Sequence, residues 1–208
     1  MTEFKIASLT EEQKKEVKKH LDFISHVTEE SIKHGYRAII GGGYAVDGVI
    51  GQLTRPHNDI DIQLYGNDVI TSKLLSDSVL TGKYEGYHHE DKGRNEYWHS
   101  FFIKEIDAEI CYIHVAYNPF SESKIVIKAD STYSEEHDYE TKIVILDGVR
   151  YEAQNPVQEL ADKIYKRDYR GDAKLPKHDQ DIFNLKLITD PYDVQQEINK
   201  RIKLHQRD

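Results

Sequence analysis

Three consecutive glycines, Gly41–Gly43, are the feature that most restricts how this chain can fold. They follow a short apolar run, Arg37–Ile40, which predicts a buried strand, and they precede a brief helix that Gly51 ends. The apolar residues of that helix share one side: Ala45, Val46, Val49 and Ile50. A strand, a glycine turn and a helix in this order let backbone N–H groups and a helix N-terminus face an anion.

Two aspartates, Asp59 and Asp61, lie on the next predicted strand, where they alternate with apolar residues. Their carboxylates therefore leave the same face, roughly 7 Å apart at the backbone by the strand rise. Two carboxylates so close repel each other unless a cation lies between them. Oxygen ligands suit Mg²⁺, and two such ions about 4 Å apart can hold both the attacking and the leaving oxygen of a phosphoryl displacement. We therefore predict Mg²⁺, as two ions, at this pair.

The glycine turn and the aspartate pair together predict a site for a nucleoside triphosphate. The loop of Gly41, Gly42 and Gly43 would bind the phosphates beside the metal ions. Each signal alone is common, because a glycine turn is usually only a turn and an Asp-x-Asp pair is often a solvated strand face. Their order and the short chain between them make the combination far more specific.

The remaining pattern predicts a mixed α/β portion over residues 1–154 and a helical portion over residues 155–208. A first helix begins at Thr10, and its apolar residues recur at helical spacing: Val17, Leu21, Ile24, Val27 and Ile32. Asn155-Pro156 and Asp190-Pro191 each combine a helix cap with a proline at the first helical position. Further helices are predicted over about Asp68–Leu80 and Asp179–Thr189. Further strands are predicted over residues 84–90, 96–104, 106–115, 124–128, 141–146 and 149–153.

The composition limits the class of partner. The 208-residue chain has a net charge of −9 at pH 7, which disfavours nucleic acid, since nucleic acids bind mainly through lysine and arginine contacts to phosphate. An acidic cleft favours a cationic small molecule instead, and the acidic run Ser134–Asp138 is interpreted as a solvated loop or as an attractor for such a molecule. No run approaches the roughly 18 apolar residues of a membrane span. The single cysteine, Cys111, fits a reducing compartment, so we expect a cytoplasmic protein with no membrane partner.

Residues 38–64 resemble the DNA polymerase β-like nucleotidyltransferase superfamily, and within it the aminoglycoside 2″-nucleotidyltransferases and the lincosamide nucleotidyltransferases. The shared pattern is a glycine pair, an aromatic residue, an aspartate, a glycine, Arg-x-His and Asp-x-Asp. In this chain those positions are Gly42, Gly43, Tyr44, Asp47, Gly51, Arg55, His57, Asp59 and Asp61. The resemblance implies an α+β nucleotidyltransferase fold, in which helices flank a small mixed twisted sheet and a C-terminal helical bundle follows.

The resemblance also implies the reaction. A nucleoside monophosphate, AMP, would pass from a nucleoside triphosphate to a hydroxyl of an aminoglycoside or lincosamide antibiotic, with Mg²⁺ required and pyrophosphate released. In this superfamily a third acidic residue on a neighbouring strand completes the metal site or takes the acceptor proton. We match Asp107 to that position as metal ligand and base, and Glu109, which shares its strand face, is the alternative base.

Two basic residues are expected to contact the nucleotide besides the glycine loop. Arg55 belongs to the shared pattern, and Lys177 begins a block that is similar to a helix start in the C-terminal bundle of the same enzymes. A lysine there can offset charge on the departing pyrophosphate, and Lys163 is a second candidate. His57 is interpreted as an orienting hydrogen-bond partner and not as a metal ligand.

Two other functions stay open from the sequence. The acceptor could be a protein side chain or an RNA end, as in toxin-like members of the superfamily, although the acidic composition argues mildly against RNA. The chain could also be a catalytically inactive nucleotide-binding module. The presence of both Asp59 and Asp61 together with the glycine loop argues against inactivity.

Overall fold

The structure is a computed structural model that describes residues 3–33, 37–66, 86–90, 99–103, 108–117, 124–129, 133–138, 141–169 and 176–205. For residues 64–66, for the strands between residues 86 and 138 and for residues 204–205 it describes the backbone only. The helix predicted over Asp68–Leu80 lies outside these residues. The described helices are α1 (Glu11–Lys33), α2 (Gly42–Ile50), α3 (Pro156–Asp168), α4 (Pro176–Lys186) and α5 (Pro191–His205). In the described ranges, none of the helices has the length and apolar character needed to cross a bilayer.

A mixed sheet forms the centre of the fold. The described strands are β1 (Arg37–Ile40), β2 (Ile60–Gly66), β3 (Gly86–Glu90), β4 (His99–Ile103), β5 (Ala108–Tyr117), β6 (Lys124–Ala129), β7 (Tyr133–Asp138), β8 (Thr141–Leu146) and β9 (Val149–Gln154). Seven of them are hydrogen-bonded in the order β3-β4-β5-β2-β1-β9-β8. β1 is antiparallel to β2 and parallel to β9, and β2 is parallel to β5. The sheet is therefore mixed, as the resemblance implied.

The other two described strands extend the sheet beyond the end of β5. β6 pairs antiparallel with the last residues of β5, and β7 pairs antiparallel with β6. β7 contains the acidic run Ser134–Asp138, so the interpretation of this run as a loop is wrong. The run has no alternation of polar and apolar residues, which is the local signal of a strand, and it forms a strand by pairing with the preceding strand β6.

Helix α1 begins where the sequence predicts and packs one face on the sheet. Thr10 Oγ1 accepts a hydrogen bond from Gln13 N at 3.2 Å, and Gln13 Oε1 accepts one from Thr10 N at 2.9 Å. This reciprocal capping box satisfies amides at the helix start. Ile32 is 69% exposed, so its assignment to the buried stripe is wrong. Ser31, four residues after the buried Val27, takes the inward position in the last turn.

Helix α2 lies between two hydrophobic clusters, and the sequence predicted only one apolar side for it. Ala45 packs in the cluster that α1 forms with the sheet, whereas Val46 packs in the cluster formed by α3, α4 and α5. Because both sides of α2 are held, the glycine turn at its N-terminus has a fixed position relative to the sheet and to the C-terminal helices.

The C-terminal helices begin at the cap-and-proline signals. Asn155 Oδ1 accepts from Val157 N at 2.8 Å, which caps α3, and Asp190 Oδ1 accepts from Tyr192 N at 2.7 Å, which caps α5. Helix α4 begins at Pro176, three residues before its predicted start. The same preference of proline for the first helical turn explains the earlier start.

The N-terminal segment before α1 contacts the C-terminal helices. Lys5 N donates to Asn184 Oδ1 at 2.8 Å, and Asn184 Nδ2 donates to the Lys5 carbonyl oxygen at 3.0 Å. Gln180 Nε2 also donates to Lys5 O, at 3.0 Å. The division into residues 1–154 and 155–208 stays a prediction, and these contacts cross it.

Candidate functional site

The glycine turn and Asp61 are in direct contact. Gly41 N donates to the Asp61 carbonyl oxygen at 2.9 Å, which continues the pairing of β1 with β2. Gly42 has a φ of +60°, and a Cβ at this residue would lie 2.0 Å from Asp61 Oδ2. Only glycine lets the turn approach the carboxylate so closely. The two halves of the predicted site, glycine loop and aspartate pair, therefore meet at this point.

Asp59 lies just before β2 and forms an ion pair with Lys177. Lys177 Nζ is 3.1 Å from Asp59 Oδ2, and the two side chains are 36% and 47% exposed. Lys177 is the second residue of α4, so the pair joins the C-terminal helices to the aspartate pair. A cation thus already faces a carboxylate at which the sequence predicts a metal ion. An exposed pair of this kind stabilises a fold by at most about 1 kcal/mol, which leaves the lysine free to exchange partners.

The third acidic residue has two candidates, Asp107 and Glu109. Asp107 lies outside the described residues, and its role as metal ligand and base stays a prediction. Glu109 lies on β5, where the backbone register pairs it with Asp61 of the parallel strand β2. Among the described side chains, no three histidine, cysteine, aspartate or glutamate residues form a cluster that could hold a metal ion.

A buried hydrogen-bond network fixes the chain between α2 and β2. His57 Nε2 lies 2.6 Å from Asp47 Oδ2, and both side chains are fully buried. Asp47 Oδ1 accepts from Thr54 N at 3.1 Å and from Thr54 Oγ1 at 2.6 Å. A Cβ at Gly43 would lie 2.2 Å from His57 Nδ1, so the histidine ring packs directly on the glycine turn. His57 is therefore a hydrogen-bond partner of Asp47 whose ring packs on the turn, and its role in orienting the turn stays a prediction.

Tyr44, the aromatic residue of the pattern, belongs to the core. It is 1% exposed, and its ring centroid lies 4.5 Å from that of His57. Its hydroxyl lies 2.9 Å from His20 Nδ1, and its carbonyl oxygen accepts from the Tyr151 hydroxyl at 2.7 Å. Burial raises the pKa of both tyrosines far above the usual range, so both hydroxyls stay protonated. Tyr44 supports the helix start and does not face an open pocket.

Arg55 ends a buried chain of four alternating charges that the sequence analysis missed. Its Nε and Nη2 donate to the two carboxylate oxygens of Asp181 at 2.9 and 2.8 Å. Lys163 Nζ lies 3.1 Å from Asp181 Oδ2 and 3.1 Å from Glu159 Oε1. Glu159 Oε2 accepts from Gly42 N at 3.3 Å. The four side chains are buried, and this chain of charges links α3 and α4 to Gly42 and to Arg55 of the motif.

The charge chain has two acids with opposite pKa shifts. Burial alone would raise the pKa of the Asp181 carboxyl, but the hydrogen bonds from Arg55 and the charge of Lys163 outweigh burial and hold this pKa below its usual range. Burial raises the pKa of the Glu159 carboxyl, and Lys163 offsets this only in part. The predicted nucleotide contact of Arg55 stays a prediction, and its guanidinium is bound to a carboxylate and to the Pro56 carbonyl oxygen at 3.0 Å.

The comparisons with known proteins agree with this arrangement. The family model of aminoglycoside-2''-adenylyltransferases matches residues 23–150, which is more than half of the chain. The chain therefore belongs to the aminoglycoside-2''-adenylyltransferase family. A comparison with curated proteins gives no significant match.

Several solved structures have a similar fold. A solution structure of the antibiotic-resistance factor ANT(2'')-Ia has a TM-score of 0.64 at 14% identity, covering 91% of this chain and 95% of that one. A crystal structure of ANT(2'')-Ia in complex with adenylyl-2''-tobramycin has a TM-score of 0.62 at 15% identity, covering 90% of this chain and 99% of that one. A crystal structure of the lincosamide antibiotic adenylyltransferase LnuA, with lincomycin bound, has a TM-score of 0.52 at 18% identity, covering 88% of this chain and 100% of that one. The α+β nucleotidyltransferase fold is thereby confirmed, and the chain is a nucleotidyltransferase.

Proposed function

We propose that this enzyme transfers AMP from ATP to a hydroxyl of an aminoglycoside or lincosamide antibiotic and releases pyrophosphate. The observation that carries the proposal is the contact between the glycine turn and Asp61, with Asp59 and Lys177 beside it. A Cβ at Gly42 would lie 2.0 Å from Asp61 Oδ2. The glycine turn at the start of α2 thus lies directly against one carboxylate of the Asp-x-Asp pair.

The donor set fits Mg²⁺. Asp59 and Asp61 supply carboxylate oxygens, which are the ligands that Mg²⁺ prefers, and both residues reach the surface in part. Lys177 Nζ lies 3.1 Å from Asp59 Oδ2, and this position of a positive charge supports the proposal of a cation at this carboxylate. We infer that Asp59, Asp61 and a third acid, Asp107 or Glu109, hold two ions. Bound Mg²⁺ would neutralise the charge that develops on the phosphates during transfer.

The triphosphate is proposed to lie over the start of α2. The amides of Gly41 and Gly42 already donate to Asp61 O and to Glu159 Oε2. Gly43 and Tyr44 occupy the first turn, where helix amides have no acceptor within the helix, so these two amides are the ones we assign to the phosphates. Lys177 would leave Asp59 and bind the departing pyrophosphate, which needs only a rotation of a half-exposed side chain.

The acceptor hydroxyl attacks the α-phosphorus, and the bond from that phosphorus to the pyrophosphate oxygen breaks. The hydroxyl proton passes to a carboxylate, for which we propose Asp107 with Glu109 as the alternative. The net charge of −9 favours a cationic acceptor such as an aminoglycoside. The relatives that carry tobramycin and lincomycin support an antibiotic acceptor.

A mass-spectrometric screen tests the proposal. The purified chain is incubated with each of ATP, GTP, CTP and UTP, with Mg²⁺ and a panel of aminoglycosides and lincosamides, and a parallel set contains a chelator. We expect one antibiotic class to gain the mass of an adenylyl group, which is AMP less one water, and to gain it only without the chelator. Label on a protein or an RNA would identify the alternative acceptors, and nucleotide binding without any transfer would identify an inactive module.

The role of Lys177 has its own test. Lys177→Met should raise the KM for ATP, since an ammonium that contacts pyrophosphate is lost. Lys186→Met is the matched control, because Lys186 is an exposed lysine at the other end of the same helix. Equal KM values for the two variants would show that Lys177 does not contact the nucleotide.

A further inference from the structure

Glu159 is a buried carboxylate whose partner is a backbone amide of the glycine turn. It lies in the first turn of α3, outside the recognised motif, and it is 5% exposed. One carboxylate oxygen accepts from Gly42 N at 3.3 Å, and the other lies 3.1 Å from Lys163 Nζ. Gly42 and Glu159 are 117 residues apart in the chain, so this contact joins the C-terminal helices to the turn.

The contact acts on the residue whose conformation determines the shape of the turn. Gly42 has the left-handed φ of +60°, and it faces Asp61 on the side where a Cβ would meet the carboxylate. A hydrogen bond from an amide to a carboxylate is stronger than one to a neutral acceptor. Glu159 therefore holds the Gly42 peptide in the orientation that keeps the turn against Asp61.

Glu159 is itself held by the buried charges behind it. Lys163 binds Glu159 and Asp181, and Asp181 binds the guanidinium of Arg55. Two carboxylates face two cations, so the chain of charges is balanced. The carboxylate of Glu159 cannot leave Gly42 without also disturbing its pair with Lys163, and removing one member of a buried pair leaves an uncompensated charge.

We propose that Glu159 is a positioning residue for nucleotide transfer: through the Gly42 amide it sets the geometry of the phosphate-binding turn relative to Asp61. This inference rests on the proposed function, since it assumes that the triphosphate binds at the start of α2. Glu159 does not touch the substrate in this role. Its effect is on the affinity for the nucleotide and not only on the stability of the fold.

Two double variants separate the contact with Gly42 from the charge balance. Glu159→Gln/Lys163→Met keeps an acceptor oxygen within reach of Gly42, and Glu159→Met/Lys163→Met has none. Both remove one acid and one base and leave the Asp181–Arg55 pair in place. Asp162→Asn, on the same helix, is a further control, because Asp162 pairs with Lys166 and Arg201 away from the turn.

Calorimetric titration with ATP and Mg²⁺ is the main measurement, with melting temperature measured in parallel. We expect the Met/Met variant to bind ATP at least about tenfold more weakly than the Gln/Met variant, the factor that loss of one buried hydrogen-bond acceptor gives. Asp162→Asn should bind as the wild type does. Equal affinities for the two double variants would overturn the proposal, because a merely structural role lowers the melting temperature and leaves the affinity of the folded protein unchanged.

Glu159→Asp keeps the test decisive if the Met/Met variant does not fold. It retains the charge opposite Lys163 but withdraws the carboxylate from Gly42 by one methylene, so it should also weaken ATP binding about tenfold. Wild-type affinity in Glu159→Asp would overturn the proposal. Because the titration needs no acceptor, a wild-type protein that binds ATP but modifies no antibiotic would refute the proposed acceptor and leave this comparison valid. A wild-type protein that does not bind ATP with Mg²⁺ would refute both.

Discussion

Replacing Gly42 by alanine should strongly lower the rate of transfer while the fold stays nearly intact. Gly42 has a φ of +60°, and the new Cβ would lie 2.0 Å from Asp61 Oδ2, where ordinary contact begins at 3.4 Å. The carboxylate is the far end of a rotatable side chain, so it can move away without unfolding the sheet. To do so it must move by more than an ångström from the position it has beside the turn.

The backbone strain at residue 42 and the displacement of the Asp61 carboxylate have effects of different size. A left-handed conformation costs a residue with a Cβ about 1–2 kcal/mol, which lowers the melting temperature of a chain of this length by roughly 2–8 °C. Misplacing a catalytic group by about 1 Å can lower the rate about 100-fold. We therefore expect kcat/KM for ATP in Gly42→Ala to fall at least about 100-fold while the protein stays folded at 25 °C.

Gly148→Ala is the matched control for backbone strain. Gly148 has a φ of +81°, lies in the turn between β8 and β9, and an added Cβ there would meet nothing within 4 Å. Scanning calorimetry should show similar losses of melting temperature in both variants, and the transfer assay should show a loss only in Gly42→Ala. If Gly42→Ala kept its transfer activity, or if Gly148→Ala lost as much transfer activity as Gly42→Ala, the contact between the turn and Asp61 would not matter for transfer.

Three further outcomes are expected. Asp59→Asn and Asp61→Asn should each lose transfer with an unchanged circular dichroism spectrum, and more than about one tenth of wild-type turnover at saturating Mg²⁺ in either variant would contradict the metal site. Asp107→Ala should lower turnover about 10²–10⁴-fold, and the loss of turnover in Glu109→Ala should be smaller by a factor of about ten or more. If Glu109→Ala lost more turnover than Asp107→Ala in the same assay, Glu109 would be the base. Burial lowers the pKa of His20 below its usual value of 6.5, so the neutral form stabilises the fold above pH 6.5 and this stability is lost as pH falls through the folded-state pKa. The melting temperature of the wild type minus that of His20→Gln should therefore decrease below pH 6.5, and a constant difference would show that His20 does not contribute.

The elements that could be predicted from the sequence have local causes. Asn155 caps α3 next to the proline at its first position, and Gly51, with a φ of +83°, ends α2, so each boundary depends on residues within one turn. Strand β2 follows from its alternation of polar and apolar residues. The glycine turn and Asp61 are separated by a short stretch of chain, and the pairing of β1 with β2 brings them together.

The parts that could not be predicted depend on distant pairs. Arg55 and Asp181 are 126 residues apart, and nothing near either residue indicates the other. Only the i, i+4 spacing of Glu159 and Lys163 hinted at an ion pair, and that spacing is usually found on exposed helix faces. The choice between Asp107 and Glu109 also depends on the register of β5 against β2, which pairs Glu109 with Asp61 and is set by contacts that the sequence does not display.

The motif therefore contains two kinds of residues, and burial separates them. The side chain of Asp59 is 47% exposed, so its charge can be removed at little cost to the fold. Arg55 stands four residues earlier in the same motif, but it is 7% exposed and neutralises a carboxylate with no exposure at all. Removing one partner of a buried pair costs about 3–5 kcal/mol. Without Arg55, the buried carboxylate of Asp181 would keep only Lys163, which it shares with Glu159. Loss of Asp59 should therefore act on the chemistry alone, whereas loss of Arg55 should act first on folding, although the two residues belong to one sequence pattern.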